Sequence, residues 1–235
     1  MDVLTGNAGV FASGFFVTFQ IVLLAAVGAL VLGTLVAAMR ISPLPPLRWL
    51  GTAYVTVVRN TPLTIVFFMT AFGLPEIGVD AGFLRIPLLD SLFTRLGTDV
   101  PYFRFAIVAL TVYTAAFVCE ALRAGVNAVQ PGQSEAGRSL GLTFTQNLRL
   151  IVLPQAGRAT VVPLGSVIIA MIKNSALAGA FGVAGDLFQT SDELTSAQGL
   201  PAIPVFIGVA AGYLILTVPL GLLLDRIERS QAVTR

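Results

Sequence analysis

Long apolar runs separated by short polar connections organise this chain. Between Val3 and Met39 there is no Asp, Glu, Lys or Arg. At ~1.5 Å rise per helical residue, about 20 of those residues would cross a ~30 Å hydrocarbon layer. Five such runs predict five transmembrane helices, at about residues 11–39, 50–74 (with Arg59 inside it), 102–121, 156–180 and 201–224. Helices are the required form, because lipid offers backbone N–H and C=O groups no partner and the alternating short strands of a barrel are missing. Pro43, Pro45 and Pro46 break the chain between the first two spans, and Pro62 is placed to kink or interrupt the second. The fold class expected is an all-α membrane protein of one domain spanning residues 1–235.

Composition agrees with this picture. Hydrophobic residues make up 56% of the chain and charged residues 11%, against about 25% charged in a soluble domain. The net charge of +2 is spread along the chain, which gives no basis for nucleic-acid binding. With no histidine and one cysteine, Cys119, neither an internal disulfide framework nor a His-rich metal site is available. The N-terminus lacks a positive segment before its first apolar run, so that run reads as a retained span and not a cleaved signal.

Basic residues set the expected orientation. Arg40 and Arg48 occupy one connection without an acid. Arg123, Arg138 and Arg149 face Glu135 alone in another, with Arg158 just beyond, and the tail holds Arg226, Arg229 and Arg235 against Asp225 and Glu228. The opposite connections carry Glu76, Asp80, Asp90 and Asp99 against Arg85 and Arg95, and then Asp186, Asp192 and Glu193 with no base. This asymmetry predicts the N-terminus outside and the C-terminus in the cytoplasm. The segment over residues 73–98 mixes Pro, Gly and apolar residues, which fits either a short interfacial piece or a packed loop.

A polar, glycine-punctuated loop over residues 133–154 stands out between the third and fourth spans. Good helix formers run from Glu135 to Ser139, Gly141 can take φ > 0 to end a turn, and Pro154 suits the start of the next helix. A short helix across the cytoplasmic face is expected, either as a docking element or as an ordinary solvated connection.

Here the motifs carry a resemblance. Glu135-Ala136-Gly137, then Gly141, then Ile151-Val152-Leu153-Pro154-Gln155, resembles the EAA loop of ABC importer permeases. Tyr113-Thr114-Ala115-Ala116, Glu120, Arg123-Ala124-Gly125, Pro131-Gly132-Gln133 and Leu153-Pro154-Gln155-Ala156 narrow it to the polar amino acid branch. Arg59-Asn60-Thr61-Pro62-Leu63 and Lys173-Asn174-Ser175-Ala176-Leu177 agree. The similarity covers most of residues 52–182. Two positions depart from the usual pattern: Thr56 stands where many members have Glu, and Gly137 replaces the second Ala. Gly137 is expected merely to loosen the short helix, at about 1 kcal/mol against Ala.

The resemblance implies a type I ABC importer transmembrane domain working as a homo- or heterodimeric permease pair in the inner (cytoplasmic) membrane of a prokaryote. Glu135, Ala136, Gly137, Gly141, Leu153, Pro154 and Gln155 would form the coupling element seated on a cytoplasmic ATPase dimer. An extracytoplasmic binding protein would deliver a polar amino acid, most of all a glutamate or glutamine type, to the outer loops over residues 75–101 and 186–193. The chain itself binds no cofactor: its one lysine, Lys173, lies between Ile172 and Asn174, so no G-x-x-x-x-G-K-[ST] loop exists and ATP with Mg belongs to the ATPase.

Charges inside spans are costly and mark functional sites. Arg59, Glu120 and Lys173 are candidates for the substrate path, with Asn60, Thr61, Pro62, Tyr113, Thr114, Asn174 and Ser175 beside them. Either Arg59 or Lys173 offers a cation for a substrate carboxylate. The alternatives for Arg59 and Glu120 are snorkelling, or pairing with each other or with Arg123. An intramembrane hydrolase lacks its histidine and its second acid. A secondary amino acid transporter working without an ATPase is the other transport reading.

Overall fold

The structure is a computed structural model that describes residues 2–79, 101–182 and 185–232. The outer segment expected over residues 73–98 therefore lies mostly outside the described residues. Those described are helical throughout, without a strand: α1 (Asp2–Gly6), α2 (Ala8–Ile41), α3 (Pro45–Asn60), α4 (Leu63–Phe68), a π turn (Met69–Gly73) leading into α5 (Leu74–Glu76), α6 (Pro101–Asn127), α7 (Pro131–Ser139), α8 (Phe144–Asn147), a second π turn (Leu148–Val152), α9 (Leu153–Asn174), α10 (Ala176–Ala180), α11 (Leu187–Asp192), a third π turn (Glu193–Ala197) and α12 (Ala202–Ala232).

Four segments among them are long and apolar enough to cross a bilayer: Ala8–Ile41, Phe103–Asn127, Phe144–Ala180 and Ala202–Ser230. In place of the expected second span, Pro45–Asn60 and Leu63–Glu76 meet at 105°, a bent pair with the form of a broken span or a re-entrant loop. Pro62 causes the break. Thr61 before it is extended at ψ 129, as the ring of a following proline demands, and Pro62 then starts α4. The expected kink is thus a full corner. Pro45 and Pro46 do not break the chain; they occupy the first turn of α3, where a missing N–H costs nothing, and the break falls just before them.

The bundle closes on α6, which packs against α2 on one side and α9 on the other, with α12 against α9. Small side chains make this possible: Ala25 and Ala29 of α2 and Ala109, Ala115 and Ala116 of α6 are fully buried. Where lipid removes the hydrophobic drive between helices, close approach and dispersion hold them together, and small residues permit that approach. Ile21, Phe67, Phe103, Leu110 and Met171 fill the remaining core, and Phe67 stacks on Phe181 at 5.5 Å. Phe16, Leu23, Val31 and Leu35 on α2, with Ile203, Leu214 and Leu222 on α12, point outward. Such a face suits lipid and would aggregate in water.

The fourth span begins twelve residues earlier than expected. Thr143 and Gln146 form a capping box, Gln146 N donating to Thr143 Oγ1 and Thr143 N donating to Gln146 Oε1 at 2.9 Å. The helical path then runs without interruption from Phe144 into α9, so Pro154 sits inside it and not at its start. The π turn over Leu148–Val152 immediately precedes Pro154 and relaxes the ladder where the proline has no N–H to give. At 37 residues this segment measures about 55 Å, far more than a ~30 Å hydrocarbon core. Its Arg149 and Arg158 belong to the end that protrudes.

Candidate functional site

Three places gather the chemistry. The first is the hairpin of α7 and α8. The helix α7 starts at Pro131, four residues before Glu135, and ends at Ser139 with Leu140 as its C-cap; Gly141 follows at φ +82, the left-handed turn expected of it. Glu135 and Ala136 are exposed, as are Leu153, Pro154 and Gln155, whereas Gly137 is buried. Gly137 does more than loosen the helix: a Cβ there would lie 2.6 Å from both Asn147 Oδ1 and Ile151 Cδ1. Its bare backbone is what lets the hairpin close. Asn147 fastens the closure, its Nδ2 donating to Ser134 O at 3.1 Å and Ser134 Oγ at 2.7 Å. The sequence reading passed over Asn147, for which no local signal exists. It also passed over Leu140 and Phe144, large apolar residues that are 83% and 75% exposed on an otherwise polar loop. Their type was the available signal.

The second place is a charge cluster. Glu120 on α6 receives Arg40 from the end of α2, Arg59 from the end of α3 at 3.4 Å and Arg123 one turn along its own helix at 3.4 Å. Pairing, one of the alternatives for Arg59 and Glu120, is the arrangement found, with Arg40 added from 80 residues away. Arg59 also lies over the Phe117 ring at 5.8 Å. Arg40, Arg59, Glu120, Thr56 and Asn60 line a cavity of about 310 Å³ together with Val55 and Phe117. Two guanidinium groups, Arg40 and Arg59, against one carboxylate make its wall cationic, while Arg123 reaches that carboxylate without lining the cavity. Asn60 and Thr61 donate back to Thr56 O and Val57 O, which satisfies carbonyls at the end of α3 ahead of the Pro62 corner.

The third place adjoins the second. Tyr113, Thr114 and Phe117 of α6 face Ser166, Val167, Ala170, Met171 and Asn174 of α9 across a cavity of about 370 Å³. Phe117 lines both cavities. Lys173 does not line either one; it is exposed, about 100° around α9 from Asn174. Ser175 is buried and its hydroxyl donates to Ile172 O. Among the cations proposed for a substrate carboxylate, the structure therefore places Arg59 at a cavity and leaves Lys173 outside. Arg104, near the start of α6, is a further buried charge that the sequence reading did not single out.

The family model described as "Binding-protein-dependent transport system inner membrane component" matches residues 29–232. The chain belongs to that family. The permease is 41% identical over 230 residues to the probable glutamine ABC transporter permease protein GlnM of Bacillus subtilis, covering 97% of this chain and 96% of the relative. It is 39% identical over 221 residues to the glutamate transport system permease protein GluC of Corynebacterium efficiens, covering 94% and 93%. A solved amino acid ABC transporter with histidines matches 97% of the permease and 96% of its own chain at TM-score 0.81 and 30% identity. The inward-facing MetNI methionine ABC transporter, at 24% identity and TM-score 0.71, shares the fold. The permease is thus a multi-pass inner-membrane component of an ABC amino acid importer. It is not an enzyme, and ATP hydrolysis belongs to a separate subunit.

Proposed function

We propose that the permease moves a glutamate- or glutamine-type amino acid inward by alternating access, coupled through α7 to a dimer of cytoplasmic ATPases that consume ATP with Mg. A second permease chain, identical or related, completes the pathway, and an extracytoplasmic binding protein loads it. In this arrangement the N-terminus is outside and the C-terminus cytoplasmic. The observation that carries the substrate class is the cationic cavity around Arg40, Arg59 and Glu120. A substrate carboxylate is desolvated on entering a membrane protein, and the Arg40 and Arg59 guanidinium groups in reduced dielectric offset that cost. Phe117 joins this cavity to the neutral one beside Tyr113, Thr114 and Asn174, which together make a path with hydrogen-bonding walls and an aromatic waist. Relatives named for glutamate and glutamine agree with this reading through the α-carboxylate that both amino acids carry.

For coupling, exposed Glu135 and Ala136 with Leu140 and Phe144 form the face that docks on the ATPase, while Gly141, Leu153, Pro154 and Gln155 set the angle of the returning helix. On the outer side, Asp192 and Glu193 are exposed for a binding protein; Asp186 is not, being fully buried.

Uptake of labelled glutamate and glutamine into proteoliposomes holding permease, ATPase and binding protein tests the reading. ATP-dependent uptake is expected, falling on Arg59→Ala and vanishing on Glu135→Arg. Uptake that continues without the ATPase would favour a secondary transporter, and uptake of a basic amino acid in preference to glutamate would remove the assigned substrate class.

A further inference from the structure

We infer that Asn147 is a positioning residue for energy transmission, a staple that makes α7 and the protruding start of the fourth span move as one body. The inference rests on the reading that α7 docks on the ATPase, and it names the part that passes the motion on. A coupling helix of nine residues cannot push a transmembrane helix through a flexible turn. It needs a rigid joint. Gly141 gives the turn at φ +82 but sets no distance between the arms. Asn147 sets that distance.

Its side chain is 3% exposed and reaches back thirteen residues to Ser134, one turn into α7, with two hydrogen bonds from Nδ2. Ser134 O can only accept, so the amide orientation is fixed with Nδ2 toward α7 and Oδ1 toward Gly137. Asn147 Oδ1 is buried and accepts nothing. A side chain that leaves one polar atom unsatisfied is an unfavourable choice for packing alone, where an apolar residue of the same size would serve. The donation to Ser134 is the part that an apolar residue cannot copy. Gly137 completes the joint, because any larger residue would press on Oδ1 at 2.6 Å. Glycine at 137 and asparagine at 147 are therefore one device: the missing Cβ makes room for the amide. Asn147 is the last residue of α8, so the π turn over Leu148–Val152 and then α9 continue directly from the staple.

The test uses the whole importer in proteoliposomes and reads amino acid taken up per ATP hydrolysed, alongside the amount of ATPase retained on the purified permease. Asn147→Asp keeps the volume but cannot donate to Ser134 O. ATPase retention is expected to hold, because Asn147 lies behind the docking face. Uptake per ATP is expected to fall by about tenfold, the scale set by losing one or two hydrogen bonds. An unchanged ratio overturns the inference. Should Asn147→Asp fail to accumulate in the membrane, Gly137→Ala alone and combined with Asn147→Ala decide. A low ratio in the single variant that recovers in the double supports the joint, and equal ratios sink it. Glu135→Arg separates the two levels. If it leaves both retention and uptake intact, the docking reading fails. If it removes retention while Asn147→Asp changes nothing, only the staple is wrong.

Discussion

The Asp186 carboxyl is fully buried at the start of α11, where Oδ1 accepts from Gln189 N at 2.7 Å and Oδ2 accepts nothing. Burial pushes its pKa up to about 7, only partly opposed by backbone N–H groups of Gln189, Phe188 and Gly179. Tyr213 of α12 is its titratable neighbour, and the Leu187 N–H that follows Asp186 donates to Thr18 on α2. In the unfolded chain the same carboxyl titrates near ~4. Between about 4 and about 7 the folded protein therefore holds a proton that the unfolded chain has lost, so stability declines as pH rises through that window and levels off above it. Thermal unfolding in nanodiscs should show a lower midpoint at pH 8 than at pH 5. Asp186→Asn, which preserves the N-cap, should flatten that difference. An equal slope in the variant would contradict this account. Reading Asp186 from the sequence as one of three outer acids was reasonable, since nothing local distinguishes it from Asp192 or Glu193. Packing among α2, α10 and α12 set it apart.

At the scale of elements, α7 and α8 show how much local chemistry can specify. The turn at Gly141 and the corner at Pro62 were legible because glycine and proline act on their own backbone and on the residue beside them. The early start of the fourth span was legible too, through the Thr143–Gln146 capping pair, but the proline at 154 was the louder signal. The role of Gly137 was not legible, because the atoms that forbid a Cβ there come from residues ten and fourteen positions away. Leu140 and Phe144 stand exposed at the tip of this hairpin. Burying an aromatic side chain of that size contributes roughly 1.5–3 kcal/mol. Phe144→Asp should thus lower the ATPase retained on the permease by about tenfold or more, as measured by quantitative co-purification. Full retention would show that the docking face lies elsewhere.

The molecule as a whole is a bundle whose outer surface is apolar and whose ends differ in charge. Arg40, Arg59 and Arg123 gather on Glu120, and of the basic residues counted for orientation Arg40 is also part of a cavity wall. A cysteine introduced as Glu135→Cys, in a Cys119→Ala background, should react with a membrane-impermeant maleimide only in inside-out vesicles. Labelling from the outside of intact cells would reverse the assigned topology and the coupling with it.

The sequence alone determined the bilayer class, the all-helical fold and the family, because hydropathy and short motifs are properties of neighbouring residues. Only the tertiary structure decided that Arg40 and Glu120 meet, that Lys173 is exposed and lines neither cavity while Asn174 lines one, and that Asn147 lies against Gly137. Those facts depend on which helix faces pack together, and small residues far apart in the chain decide that.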